Sequence, residues 1–337
     1  LARCSATCSG FFLQFPGQQP WQTALQLLWF MPYILLLTRL LLARTQSQLL
    51  TAMITATLAT SLGLFLYLVF PIFLSGLFQT LAGTLLNFGL VVAVFNYAAI
   101  WRWLQRRCEW VANSRREWLF FNGSFRIINH GFYAGLAGAL GVAIVSYITG
   151  SHVVSLLFLV LTIAGASVFA QVWWGSKALL RPFGYWGAII GGVLALGLAV
   201  GLFGESLATV ALAGVLCAPF VQGLGRLRCL VQGCCHGVAT DQRFGIRVWQ
   251  PQSRVCVLSG LRGRWILNTQ LYSIMFNLLL GSLLWALWLA ESLPVSLIIG
   301  LYLILTGIER FAEDGYRGET QTKVIKGLLE SQWVAVT

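Results

Sequence analysis

Charge is what this sequence has least of. Only 9% of its 337 residues are Asp, Glu, Lys or Arg, against about 25% in soluble domains. A water-soluble fold of this size could not cover its surface with so few charged side chains, which excludes an ordinary cytosolic enzyme. An apolar content of 58% excludes a disordered chain. Eight cysteines spread through so long a sequence exclude a disulfide-stapled secreted mini-domain. A secretory signal peptide, with a basic start and a small-residue cleavage site, is not visible. Acidic residues are the scarcer of the two signs, 10 against 22 basic, for a net charge of +12.

What is there fits a different class. Mean hydropathy is +0.79, and 35 glycines and 14 tryptophans suit tight helix packing and interfacial anchoring. The expected fold is an all-α polytopic integral membrane protein. Apolar runs long enough to cross about 30 Å of hydrocarbon recur at 22–38, 49–70, 81–101, 132–150, 153–174, 185–203, 206–224, 268–290 and 293–309. Counting alternate crossings puts every Lys and Arg except Arg3 on one face. The positive-inside rule alone makes that face cytoplasmic, and the same excess suits an anionic lipid partner. Nucleic acid is a poor partner for so many spans, and no recognition motif supports it.

Two long polar segments, 102–130 and 225–267, fall on the basic face, where irregular charged sequence meets the bundle. The segment 110–126 has a basic, aromatic face with Arg115, Arg116, Trp118, Phe120 and Phe121, which is compatible with an amphipathic surface helix. Asn268, Thr269, Gln270 and Tyr272 make an unusually polar span entrance. Glu309, Arg310, Glu313, Asp314 and Arg317 place both signs of charge at the end of the last span.

The densest signal is Gly223-Leu224-Gly225-Arg226-Leu227-Arg228-Cys229-Leu230-Val231-Gln232-Gly233-Cys234-Cys235-His236-Gly237. Glycines permit close backbone approach, and an arginine in such a turn suits bidentate phosphate binding. This stretch resembles the prolipoprotein diacylglyceryl transferase family, whose signature reads G-R-x-G-N-F-x-N-G-E-x-x-G. It looks most like members with a Gly-Cys-Cys-x-Gly variant. Further segments are similar in order. Ile128 to Tyr133 resembles the entry to the family's first helix. Pro182 to Gly192 resembles its His-Gly-Gly-Leu-Ile-Gly segment, Thr269-Gln270-Leu271-Tyr272 its His-Pro-x-Gln-Leu-Tyr, and Arg310 to Arg317 its Arg-Phe-x-x-Glu-x-x-Arg. The resemblance covers about 120–337.

The resemblance implies transfer of a diacylglyceryl group from an anionic, phosphatidylglycerol-like phospholipid to a cysteine thiol of a lipoprotein precursor, in the bacterial cytoplasmic membrane. It implies that Arg226 and Arg310 hold the phosphate and that Asp314 pairs with Arg310. Arg317 would be a secondary cation. Gly233 and Gly237 would shape the turn, Gln270 and Tyr272 would line the entrance, and Gly225 would join them in binding the substrate. It also implies that the motif face lies outside the cytoplasm, against the arginine count. Departures from the pattern concentrate on proton transfer. Trp186 stands at the family's catalytic histidine, with Tyr185 the nearest ionisable substitute, although a tyrosine is a poor base at neutral pH. Cys229 replaces the signature asparagine, Cys234 its glutamate, and Leu267-Asn268 its His-Pro. Residues 166–169 lack the family's usual arginine.

Other readings stand beside these. Arg226 also suits a snorkelling interfacial residue, and Arg310, Asp314 and Arg317 a structural ion-pair network. The spacing of Cys229, Cys234, Cys235 and His236 is not that of a zinc site, and adjacent cysteines rarely chelate one metal. Packing is their expected role, with no metal or cofactor. Residues 1–112 read as an added N-terminal membrane module of about three spans, and 113–337 as the transferase-like domain, expected to lack a final span. The extra module and the lost histidine motivate a second function, that of an inactive relative serving as an accessory subunit of a membrane complex.

Overall fold

A computed structural model describes residues 96–122, 125–174, 184–289 and 293–318, together with 324–325, 328–329 and 332. The expected spans 22–38 and 49–70, and nearly all of 81–101, lie outside these residues. So do Lys177, Arg181 and the side chains of Arg126, Trp173, Trp174 and Tyr185. The chain divides into two compact units, one of 1–106 with 285–293 and one of 107–284 with 294–337. In the first, Trp285 and Trp288 meet edge to face at 5.2 Å between ring centroids.

The described helices are α1 (Tyr97–Ala112), α2 (His130–Thr149), α3 (His152–Trp174), α4 (Tyr185–Phe203), α5 (Leu207–Gln232), the short α6 (Arg254–Val257), α7 (Thr269–Leu289) and α8 (Val295–Gly315). Six of them, α2 to α5 with α7 and α8, are long and apolar enough to cross a membrane. The chain is an integral membrane protein built from helices. The described residues also form three short antiparallel pairs: β1 (Glu117–Phe120) with β2 (Phe125–Ile128), β3 (Gly245–Arg247) with β4 (Trp265–Leu267), and β5 (Val324–Ile325) with β6 (Leu328–Leu329).

The interior of the bundle is made where α2, α3, α4 and α5 meet. Val145, Val154, Ala199, Val210, Ala213 and Cys217 form a buried cluster there, flanked by Phe158 and Leu196. Half of the apolar window of α5 is buried, the largest share among the six. Outward residues such as Phe132, Val172, Val193 and Leu202 are mostly exposed, which suits contact with acyl chains.

Helices α3 and α4 cross on glycine. A β-carbon on Gly187 or Gly191 would fall inside the carbonyl oxygens of Gly165 and Leu161, respectively. This is close small-residue packing of the kind that joins helices in lipid, where no hydrophobic force draws them together. The glycines in the segment that resembles His-Gly-Gly-Leu-Ile-Gly thus serve a helix contact.

Three expectations are corrected. Residues 110–126 do not form one surface helix, because helix α1 ends at Ala112. Asn113 stops α1, donating from Nδ2 to the Glu109 carbonyl at 2.7 Å, and the aromatic and β-branched residues that follow form the β1–β2 hairpin, the conformation such side chains favour. The span expected to end at 224 runs to Gln232. Arg226, Arg228 and Cys229 therefore stand on helix, since Leu, Arg and Gln are good helix formers and nothing breaks the run before Gly233. The last span likewise continues to Gly315.

Candidate active site

Three helix ends build the site: the C-terminal turns of α5 and α8 and the first turns of α7. Helix C-termini carry partial negative charge, which favours cations there. Arg226 sits on the penultimate turn of α5. Its Nε donates to the Ser273 hydroxyl of α7 at 2.9 Å, and its Nη2 pairs with Glu313 of α8. The Ser273 hydroxyl donates onward to Glu309 at 2.8 Å.

On α8 the charges sit three and four residues apart, which puts them on one face. Glu313 also receives Arg310 at 3.6 Å and Arg317 at 3.2 Å. Asp314 takes Arg310 at 3.4 Å and Arg317 at 3.1 Å. Three guanidinium groups thus surround two carboxylates, and Asp314 is 1% exposed. Burying a carboxylate so deeply requires paired charge. Burial disfavours the Arg317 charge, but Cys235, Glu313 and Asp314 outweigh it and push its pKa above the ordinary arginine value. The expected pairing of Asp314 with Arg310 is present, and Arg317 joins it.

Beside this cluster lies a tight turn. Gly233 closes α5 in the left-handed region at φ 74°. The Cys229 carbonyl accepts the N–H groups of both Gly233 at 2.8 Å and Cys234 at 3.2 Å. This is a helix C-terminal motif that brings the side chains at its two ends, Cys229 and Cys234, together. Cys235 follows with φ of 56°, unusual for a non-glycine residue. The three sulfurs lie within 4.8 Å of one another. Hydrogen bonds from Cys229 and Cys234, reinforced by Arg317 and Arg226, hold Cys235 well below the ordinary thiol range despite burial. Cys234 moves the other way, through its hydrogen bonds to Cys229 and Cys235 and through burial.

The turn is clamped from both sides. From α7, Thr269 Oγ1 donates to the Cys235 carbonyl at 2.5 Å and Gln270 Nε2 to the Cys234 carbonyl at 2.9 Å. Gly237 N–H reaches the Leu267 carbonyl at 3.0 Å, and Gly318 N–H reaches the His236 carbonyl at 2.9 Å. A β-carbon on Gly237 would lie 2.7 Å from the Leu267 carbonyl oxygen, so only glycine fits. His236 is 1% exposed, with Nε2 at 2.8 Å from Ser259 Oγ and Nδ1 at 3.0 Å from the Gly237 carbonyl.

The residues singled out in the sequence are thus partly gathered. Arg226, Arg310, Asp314 and Arg317 meet in one cluster, while Gly233, Gly237 and Gln270 belong to the adjoining turn. Gly225 is helical, and a β-carbon there would meet no described atom within 4 Å. Tyr272 is half-buried on the first turn of α7 and Trp186 half-buried on the first turn of α4. Tyr185 starts α4, with its side chain outside the described residues. Sequence reasoning missed Glu313, Ser273 and Glu309 as partners in the cluster. The face shared by 309, 310, 313, 314 and 317 was available in their spacing; the contribution of Ser273 was not.

The family described as prolipoprotein diacylglyceryl transferase matches residues 119–337. Phosphatidylglycerol–prolipoprotein diacylglyceryl transferase 2 of Clostridium perfringens is 31% identical over 166 residues, which make up 47% of this chain and 60% of that relative.

Proposed function

The chain belongs to the prolipoprotein diacylglyceryl transferase family, and we propose that it transfers a diacylglyceryl group from a phosphatidylglycerol-like lipid to the cysteine thiol of a lipoprotein precursor. The observation that carries this reading is the convergence of Arg226, Arg310 and Arg317 at the ends of two apolar helices. Arg226 and Arg310 hold the lipid phosphate. A guanidinium has more N–H donors than Arg226 spends on Ser273 and Glu313. Asp314 and Glu313 orient the guanidinium groups, and Arg317 adds positive charge. Gly233 and Gly237 set the turn that borders the lipid headgroup, buried Gln270 holds that turn through the Cys234 carbonyl, and Tyr272 lines the entrance. Tyr185, next to Trp186 in the sequence, is the nearest ionisable substitute for the missing histidine.

In this reaction the acceptor sulfur attacks the glycerol carbon that bears the phosphate ester. The thiol loses its proton, a C–S bond forms, the C–O bond breaks with its electrons on the phosphate oxygen, and glycerol phosphate leaves. Arginines aimed at the phosphate stabilise the charge that develops on the departing oxygen. The setting is the bacterial cytoplasmic membrane.

The test uses the full chain in detergent with phosphatidylglycerol and a cysteine-containing precursor peptide. Mass spectrometry should find the peptide heavier by one diacylglyceryl group, with glycerol phosphate released, and Arg226→Ala should abolish both. A silent wild-type protein would favour the second reading, an accessory subunit of a membrane complex docking through 1–112. Trp186 at the histidine position and the carboxylates around each arginine support that alternative. It requires co-purification of a partner in gentle detergent, and a monodisperse monomer would count against it.

A further inference from the structure

The cysteine turn supplies no cation to hold a phosphate, yet it is held from several sides. Its three sulfurs converge within 4.8 Å, and its two central carbonyls are each fixed by a side chain of α7. Gly233 is required twice over, by its φ of 74° and because a β-carbon there would overlap the Ser253 hydroxyl. A site held by its supporting residues in this way is pre-organised for a ligand that tolerates little misplacement.

Spacing alone argued against a metal, because neighbouring cysteines normally point apart. The backbone removes that objection. The helix C-terminal motif folds Cys234 back over Cys229, and the positive φ of Cys235 lets its sulfur join the other two. Zinc–sulfur bonds of about 2.3 Å set tetrahedrally put sulfurs about 3.8 Å apart, so a contraction of about 1 Å at most would seat the ion. His236 is committed to Ser259 and Gly237 and is not a fourth ligand.

We propose that Cys229, Cys234 and Cys235 bind one Zn2+ through three thiolates, and that the fourth position of the ion takes the acceptor thiol. Three protein ligands with one exchangeable position is the arrangement of a catalytic zinc site, whereas structural sites are closed by four. The second half of the proposal rests on the transferase reading, and it answers that reading's main chemical gap. The acceptor must become a thiolate, and Trp186 stands where the family's histidine would be. A coordinated thiol is deprotonated outright, so no side-chain base is required. On coordination the acceptor thiol gives its proton to solvent. Its sulfur pair then forms the C–S bond, and the C–O electrons leave on the phosphate oxygen, held by Arg226 and Arg310. The metal is neither oxidised nor reduced. The thioether product is a weaker ligand than a thiolate, which favours its release.

The test begins with the reduced full chain in detergent, stripped of metal and titrated anaerobically with Co2+ as an optical probe. One equivalent should bind with sulfur-to-cobalt charge-transfer bands, and Zn2+ should displace it. Cys229→Ser, Cys234→Ser and Cys235→Ser should each weaken binding by more than the about 10–100-fold that follows loss of a second-shell partner. Cys256→Ser should bind as wild type does, and thermal unfolding of the metal-free variants shows whether each remains folded. A cysteine peptide should raise the charge-transfer intensity by about one third, as a fourth thiolate joins three, and its serine counterpart should not. Failure to bind Co2+, or binding that persists in the triple Cys→Ser variant, overturns the site. A spectrum unmoved by the cysteine peptide overturns the role of the fourth position. A peptide that shifts the spectrum but never gains the diacylglyceryl mass supports the site and refutes the transferase reading instead.

Discussion

Arg226 on α5 and Glu313 on α8 form an ion pair whose side chains are only 14% and 5% exposed. The pair ties together two helices separated by most of the C-terminal sequence, and it anchors the cluster that includes Arg310, Asp314 and Arg317. Removing one member of such a pair strands a charge away from water, which costs about 3–5 kcal/mol in folded proteins.

Glu313→Ala and Arg226→Ala should therefore each lower thermal stability in detergent. The double variant should lose less than the two single losses combined, because the second substitution removes a charge already stranded. Coupling of about 1 kcal/mol or more is expected for residues in direct contact. Strict additivity in the unfolding data would mean that the pair does not act as a unit.

The α3–α4 crossing makes a second prediction. Gly187→Val forces a side chain into the Gly165 carbonyl and the Phe169 side chain, and overpacking of this kind costs about 1–3 kcal/mol. Gly197→Val, ten residues along the same helix, would place its β-carbon where no described atom lies within 4 Å. A lowered unfolding temperature for the first variant and an unchanged one for the second is the expected contrast.

Gly233→Ala should be worse than Gly260→Ala. Both glycines have positive φ, at 74° and 63°, but only Gly233 also packs against Ser253 and the Arg254 backbone. The strain common to both is about 1 kcal/mol, the usual cost of a β-carbon in the left-handed region. The clash belongs to Gly233 alone. Comparing the two unfolding temperatures, with Ser253→Gly added to relieve the contact, separates strain from clash. Ser253→Gly should recover part of the loss at Gly233.

Sidedness follows from the function proposed. Loop 250–262 borders the cysteine turn through Ser253, and Val257 within it is 64% exposed. A thiol introduced as Val257→Cys should react with a membrane-impermeant reagent from outside the cytoplasm, where lipoprotein precursors emerge. Labelling from the cytoplasmic side only would agree with the positive-inside count and make lipoprotein modification untenable.

Much of the architecture was legible in advance. Apolar runs locate the six described spans because a helix in lipid must satisfy its own backbone and present apolar side chains for about 20 residues. The ends were less legible. Arg226 and Cys229 read as loop because they are polar or small, yet a helix continues until something stops it, and that residue is Gly233. The β1–β2 hairpin read as helix because basic and aromatic residues alternate there on a scale too short for periodicity to separate the two.

By itself the sequence determined the membrane class, the number of described spans, the charged face of α8 and the glycines that a tight turn demands. All of these are local properties, set by hydropathy over one helix length or by spacing of three and four residues. Only the tertiary structure decided that Arg226 belongs with Glu313 and Ser273, and that Cys229, Cys234 and Cys235 converge. The first depends on how three helices pack. The second depends on two successive left-handed excursions, at Gly233 and Cys235, and residue spacing carries no record of either.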